Sequence, residues 1–361
     1  MAYKINPFHQ LLWRNPNTLQ IGVGSQRVIL EQLSPSEERL VDALYYGIPT
    51  ESLPALAGQI ELPLDKARNL IERLQPTLLL DSSGASAVPV PTAETDLHLH
   101  QAEVVRAGLI SSRPATLIAE HRSQSVVHLD SLDSTGLTLL LGLAAAGVGT
   151  FTTKDHCRVV QSDIASGVYP KALLGRSRFG SAKLILESSW PNSRLVTTNR
   201  PDDRRTARAN VAITVSQQIT RPEAAAVWRT MDLPVLEIRY EPEGVQVSPV
   251  LTGTNGCLVC RDHWNQDQDE AHLIMASQLI GSTLTFDDSA TRLVASGLAV
   301  SLVLRFMDQQ LEGHSPWDES GAAIGFRFLR GQSDRLLTTE WLRHPLCGCG
   351  ITSTRVLREA G

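Results

Sequence analysis

The sequence has no surplus of basic charge: 33 Lys and Arg stand against 38 Asp and Glu, a net charge of −5. It therefore offers no overall positive field to a nucleic acid or an anionic membrane. The opening residues, MAYKINPFHQ, contain no apolar signal region, and no uninterrupted apolar run reaches the length of a membrane span. No repeat or low-complexity tract is present, and cysteine is scarce, with five in 361 residues. These absences lead to the expectation of a cytoplasmic protein with reduced thiols that binds neither nucleic acid nor membrane. What is there is ordinary for a folded chain: 42% hydrophobic and 20% charged residues, enough for about two domains with a sizeable core.

Four of the five cysteines form two close pairs. One is Cys257-Leu258-Val259-Cys260; the other closes the run His344-Pro345-Leu346-Cys347-Gly348-Cys349. Cys-x-x-Cys presents two thiolates from one turn, and a glycine between two cysteines lets the backbone curl around a shared metal. Four thiolates leave no position for water, so the pairs point to a structural zinc ion rather than a catalytic centre. The alternatives are a redox pair or plain core cysteines; without a secretion signal, zinc is preferred. Cys157 stands alone and is expected to be a buried small hydrophobe rather than a nucleophile. His344, next to Pro345, is expected to position the loop.

Residues 1–81 read as an α+β module. Strand candidates cover Phe8 to Trp13, Thr18 to Val23 and Arg27 to Glu31, separated by turn-forming residues. Ser34 and Glu37 then form a capping box around Pro35, with Leu40, Val41, Leu44 and Tyr45 as an apolar face and Gly47 as the stop. A second helix is predicted from Thr50 to Ala57. A third runs from Leu64 to Leu74, with Ala67, Leu70, Ile71 and Leu74 at helical spacing, and a strand or wing follows at Thr77 to Asp81. Strands, three helices and a wing make a winged-helix arrangement. Its third helix sets Lys66, Arg68 and Arg73 against Asp65 and Glu72, and no basic wing follows, so DNA is a poor partner. The edge Arg27-Val28-Ile29-Leu30-Glu31 is instead a candidate for pairing with an extended peptide. Leu70 and Ala67 would be reached by its side chains, and Lys66, Asn69 and Arg73 would line the rim. The other reading is that the protein's own chain covers this edge.

Ser82 to Asp96 is small, polar and proline-bearing, a linker by composition. Residues 97–361 are expected to form one α/β unit, pinned together by the cysteine pairs. After helical segments at Leu97 to Gly108 and Pro114 to Arg122, a strand from Ser125 to Leu129, a helix from Gly136 to Ala146 and a strand ending near Thr153 make a strand–helix–strand unit of a parallel sheet. A helix from Ser181 to Ser189 and strands at Arg194 to Thr198, Asn210 to Ser216, Pro234 to Tyr240 and Val245 to Val250 follow. A helix is expected from Pro222 to Met231 and a long buried one from Asp287 to Met307. His98, His100, His263, His272 and His314 are scattered among polar residues and are read as surface side chains. The run Arg200 to Arg208 is read as a solvated loop.

A Rossmann-like half followed by Cys-x-x-Cys and a terminal His-Pro-x-Cys-Gly-Cys resembles the ThiF-type, ubiquitin-activating-enzyme-like family. It is similar above all to members that serve the biosynthesis of thiazole/oxazole-modified ribosomal peptides. Ala146-Gly147-Val148-Gly149 and Asp155 add to the likeness, which spans nearly the whole chain. It implies a winged-helix (PqqD-like) recognition element and a Rossmann-like ThiF-type domain with a four-cysteine zinc site. It also implies a precursor leader peptide and a YcaO-type cyclodehydratase as partners, and a homodimer.

Adenylating relatives cradle phosphate on a glycine-rich turn. Counted back from Gly147, its third glycine corresponds to Gly136 and the first two to Ser131 and Asp133. Asp155 matches the acid ending the second strand, and the acid two residues on is Cys157. The nucleotide-holding asparagine and arginine correspond to Asp163 and Ser166, the lysine to Lys183, and the magnesium aspartate falls near Gln217. These departures lead to the expectation of a degenerate site: a non-catalytic protein that does not bind ATP, captures a leader peptide and delivers it to the cyclodehydratase. The alternative is an active adenylating enzyme working on a peptide C-terminus.

Overall fold

The computed structural model describes residues 2–24, 27–81, 101–110, 114–198, 208–220, 227–228, 230–282, 284–312, 323–331 and 333–350. The linker Ser82 to Asp96, His98, His100 and His314 lie outside them, as do most of the Arg200 to Arg208 run and most of the helix expected from Pro222 to Met231. The chain divides into two compact units, Met1–Glu120 and His121–Gly361.

In the first unit, strands β1 (Ala2–Ile5), β2 (Leu11–Asn15), β3 (Thr18–Ile21) and β4 (Val28–Leu30) precede helix α1 (Pro35–Tyr46). The capping box at α1 is present: the Ser34 hydroxyl accepts from the Glu37 amide at 3.3 Å and the Glu37 carboxylate from the Ser34 amide at 2.8 Å. Leu40, Val41 and Leu44 are buried, whereas Tyr45, expected on the same face, is 39% exposed. A two-residue strand β5 (Ile48–Pro49), helices α2 (Leu53–Gln59) and α3 (Leu64–Leu74), strand β6 (Leu78–Asp81) and helix α4 (Gln101–Ile110) follow. Two small sheets result, one ordered β5-β1-β6 and the other β2-β3-β4. Ala67, Leu70, Ile71 and Leu74 of α3 are all buried, and each larger side chain contributes about 1.5–3 kcal/mol of apolar burial.

Helix α5 (Ala115–Gln124) leads into the second unit, which is built on one sheet. Strand β7 (Val126–Leu129), helix α6 (Ser134–Ala145), strand β8 (Thr150–Thr153), helices α7 (Gln161–Ala165) and α8 (Arg178–Ser189) and strand β9 (Arg194–Thr197) form its first half. Strands β10 (Val211–Gln217), β11 (Val235–Glu241) and β12 (Gly244–Val247), helices α9 (Leu258–Gln268), α10 (His272–Leu279) and α11 (Ser289–Glu312) and strands β13 (Ala323–Leu329) and β14 (Arg335–Trp341) complete it. The strand order is β14-β13-β12-β11-β10-β7-β8-β9. β9, β8, β7, β10 and β11 run parallel, and β12, β13 and β14 are added antiparallel.

Gly147, at φ +96°, ends α6 in a conformation that favours glycine. Helix α11 is long and apolar enough to cross a membrane by length and composition. It packs instead against α6 and β12, and Ala295, Ala299, Val303 and Met307, a row of i, i+4 positions, are fully buried. Across the sheet the order reverses between β7 and β10. In open α/β sheets, ligands bind at the carboxyl ends of strands at such a point.

Candidate functional site at the switch point of the sheet

Beyond β7 the chain turns through Asp130 to Asp133 into α6. A Cβ added at Gly136 would lie 1.9 Å from the Ser131 carbonyl oxygen, so only glycine lets the helix approach the turn this closely. Asp133 caps α6, one carboxylate oxygen accepting the amides of Thr135 and Gly136, each at 3.0 Å. Half of its carboxylate is thus turned back onto its own helix. Burial pushes the Asp133 carboxyl above the usual range, against the hydrogen bond from Gly136, and the charge of Asp287 adds to the rise.

Asp155 holds the turn. Its Oδ2 accepts from the Leu132 amide at 2.7 Å and its Oδ1 from the Cys157 amide at 2.7 Å. Ser131 Oγ accepts from the Asp133 amide at 3.1 Å. Cys157 is exposed rather than buried, and the neighbouring Asp155 carboxylate raises its thiol pKa, which makes it a poor nucleophile. Asp163, buried at the start of α7, is gripped by Arg178, Nε to Oδ2 and NH2 to Oδ1, each at 3.0 Å. Lys183 is about half exposed and pairs along its helix with Glu187 at 3.7 Å.

Between the end of α7, the β11–β12 turn and the start of α11 a cavity of about 580 Å³ opens, lined among others by Ser162, Ser166, Asp287, Asp288, Arg292 and Arg330. Arg292 is only 3% exposed. It donates to the Ser166 carbonyl at 2.8 Å and the Asp287 carbonyl at 3.4 Å, while its Nε has no partner. A guanidinium from α11 thus lies against Ser166, the position matched to the motif arginine. The Gln217 side chain, read in place of an aspartate, accepts the Phe286 amide at 3.0 Å. It anchors the segment that brings Asp287 and Asp288 to the end of β10. Asp288 caps α11 through the amides of Ala290 and Thr291 and pairs with Arg330 at 3.0 Å. No hydrogen bond to the Asp287 carboxylate is found among the described residues. Arg178, Arg292 and Asp287 were missed in the sequence because they come from segments outside the aligned motif.

The four paired cysteines meet. Cys257 and Cys260 sulfurs lie 3.8 Å apart, Cys257 and Cys347 3.7 Å, and Cys260 and Cys349 3.4 Å. All four sulfurs fall within 4.8 Å of one another and could hold a metal ion. Tetrahedral Zn–S bonds of about 2.3 Å imply sulfur separations of about 3.8 Å, so the cluster fits. His344 is buried beside it. Its Nδ1 accepts the Leu346 amide at 3.2 Å, which leaves Nε2 to donate to Asp267 at 2.9 Å. It stacks on His263 at 4.9 Å and meets the Trp264 edge at 4.6 Å, so it holds the loop rather than the metal.

In the first unit, β4 pairs with β3 on one side, with Leu30 opposite Leu19, Ile29 opposite Gln20 and Val28 opposite Ile21. Arg73 of α3 donates to the Ile29 carbonyl at 3.3 Å, so the Ile29 peptide groups point away from β3. Lys66, Asn69 and Arg73 are exposed, as are Arg27 and Glu31, but Ala67 and Leu70 are sealed in the unit's own core.

No protein family and no curated relative matches the sequence. Solved structures do match its fold. E. coli MccB with ATP is 13% identical over 97% of this chain and 99% of that one, with a TM-score of 0.66. The microcin C7 biosynthetic enzyme MccB in complex with N-formylated MccA is 13% identical over 97% and 100%, with a TM-score of 0.65. PaaA is 16% identical over 93% and 99%, with a TM-score of 0.63. The chain thus shares the fold of these structures, an α/β fold with a large mixed sheet. These matches overturn the expected non-catalytic role without ATP: the fold in hand is that of an enzyme solved with ATP and with a peptide. That expectation counted losses position by position along one motif, whereas the folded chain also brings Arg292 and Asp287, from a distant segment, into a cavity with Ser166.

Proposed function

We propose that the chain is an adenylating enzyme that uses ATP to activate the C-terminal carboxyl group of a peptide. The observation that carries this reading is the cleft at the start of α11, where the buried Arg292 and the neighbouring Arg330 share a cavity with Asp287. In the reaction a carboxylate oxygen of the peptide attacks the α-phosphorus of ATP. An O–P bond forms, the bond to the bridging β-phosphate oxygen breaks, and pyrophosphate leaves. Arg292 and Arg330 offer donors to phosphate oxygens, where charge-assisted hydrogen bonds are strongest. Asp287, whose carboxylate takes no hydrogen bond among the described residues, offers a ligand to the magnesium ion that accompanies the nucleotide. Because Asp133 already caps α6, the phosphates are held by guanidinium groups rather than by the helix amides.

The first unit is read as the winged-helix module that captures the peptide. An incoming strand would add antiparallel to β4 through the Ile29 peptide groups, with Lys66, Asn69 and Arg73 on its rim, which suits an acidic segment. The metal held by Cys257, Cys260, Cys347 and Cys349 is read as structural zinc. Neither a YcaO-type partner nor a homodimer enters this reading.

Isotope exchange between labelled pyrophosphate and ATP tests it, with magnesium and a pool of short random peptides bearing free C-termini. Peptide-dependent exchange that falls at least about tenfold in Arg292→Gln is expected. Absence of exchange with every pool, from protein shown to be folded, overturns the reading.

A further inference from the structure

A second cavity, about 440 Å³ in volume, lies on the β11–β12–β13 part of the sheet beneath α9 and α10. Its floor is charged and buried. Arg239 is 6% exposed and Gln246 3%. Arg239 donates to Glu241 at 3.2 Å and to the Gln246 side-chain oxygen, and Arg327 donates to the other Glu241 oxygen at 3.0 Å. Both oxygens of Glu241 are thereby taken. Three donors on lining residues remain without a partner: Nε2 of Gln246, Nε of Arg261 and Nε of Arg327. The buried acceptor left over nearby, Oε1 of Glu237, belongs to a residue that does not line the cavity. Asp262 lines it too, beside His272 at 3.8 Å, and burial pushes its carboxyl above the usual range.

Unpartnered buried donors call for acceptors, and beside arginine the best-matched acceptor is a carboxylate. Glu241 lines both this cavity and the cleft at the start of α11, so the two adjoin. The outer wall is α10, which buries none of its residues and can yield to an entering chain at little cost in packing.

We propose, resting on the peptide-adenylating reading above, that the second cavity receives the side-chain carboxylate of an Asp or Glu in the peptide substrate, upstream of the reacting C-terminus. Gln246, Arg261 and Arg327 are the specificity-determining residues. A peptide with amide in place of acid exchanges one acceptor oxygen for an NH2 donor and loses the charge, so at least one of these donors stays unpaired and the peptide is selected against.

Affinity selection without ATP tests the pocket. The full-length chain is mixed with a pool of short random peptides bearing free C-termini, desalted, and the retained peptides are sequenced by mass spectrometry. Enrichment of about tenfold in Asp or Glu at one fixed distance from the C-terminus is expected. The enrichment is expected to vanish in Arg261→Gln and in Arg327→Gln, each checked for native unfolding behaviour. Retention without enrichment, retention of no peptide, or enrichment that survives both substitutions overturns the pocket. The retained peptides are then offered in pyrophosphate exchange. Enrichment without exchange supports the pocket and overturns adenylation, whereas exchange without an acid preference supports adenylation and overturns the pocket.

Discussion

Arg178 and Asp163 form a two-pronged pair beside the candidate nucleotide cleft, with Nε and NH2 each donating to a different carboxylate oxygen at 3.0 Å. Asp163 is 2% exposed and Arg178 also stands 3.6 Å from Asp155. The pair locks the start of α8 to the start of α7, and through Asp155 to the turn before α6.

Arg178→Leu leaves the Asp163 charge buried and uncompensated. Breaking a buried pair this way costs about 3–5 kcal/mol. The urea midpoint of the variant is expected to fall accordingly, while Arg178→Leu combined with Asp163→Leu is expected to recover part of the loss.

Gly136→Ala places a methyl group 1.9 Å from the Ser131 carbonyl oxygen. Backbone must move on one side or the other, at a cost of about 1–3 kcal/mol or more. A lower thermal midpoint together with weakened nucleotide binding is the expected outcome. An unchanged midpoint would contradict the close approach of helix and turn.

His128 is buried on β7, where its Nδ1 meets the Thr152 hydroxyl at 2.9 Å. Burial lowers its pKa from 6.5 to about 4; Asp130 opposes the shift and Lys154 adds to it. A histidine depressed on folding binds more protons when unfolded, so its neutral form contributes stability that is complete above pH 6.5. That contribution, on the order of 3 kcal/mol, is lost as the pH falls from 6.5 towards 4. Denaturation curves across this window should flatten in His128→Gln relative to the parent.

Loss of the metal is expected to destabilise the second unit by several kcal/mol, because a structural site contributes its binding energy to folding. Cys260→Ser should show this in a lowered thermal midpoint, and elemental analysis of the fresh parent protein should give one zinc per chain. Less than half an equivalent would contradict the clasp.

Ile29→Pro removes the outward amide of β4 and is expected to weaken binding of an extended acidic peptide by about tenfold. Fluorescence anisotropy with a labelled acidic peptide measures it. Arg73→Ala, which frees the Ile29 carbonyl, should alter the affinity as well, whereas equal affinity in both variants would locate the peptide elsewhere.

Local rules carried much of the fold into view. The capping box at Ser34, the bounds of α3 at Leu64–Leu74 and the meeting of the two cysteine pairs follow from periodicity, capping chemistry and metal-ligand spacing. Strands β1 and β5 escaped because four and two residues carry too little pattern, and β14 because its alternation leaves only Trp341 buried. The site was the least legible part. Nothing near Arg292 or Asp287 marks them as neighbours of Ser166 or Asp133; that relation exists only once α11 has packed on α6.

The cysteine clasp also sets an order of events during synthesis. Cys257 and Cys347 are 90 residues apart in the chain, and α9, α10, α11, β13 and β14 all lie within or against that span. The parallel strands β7 to β11 are complete before the second cysteine pair has been made. The first pair must therefore wait, reduced and unmetallated or loosely metallated, until the second emerges from the ribosome. Because closure entropy grows only slowly with loop length, the 90-residue separation adds little to the cost of the clasp; the time for which the first pair stands open is set by synthesis.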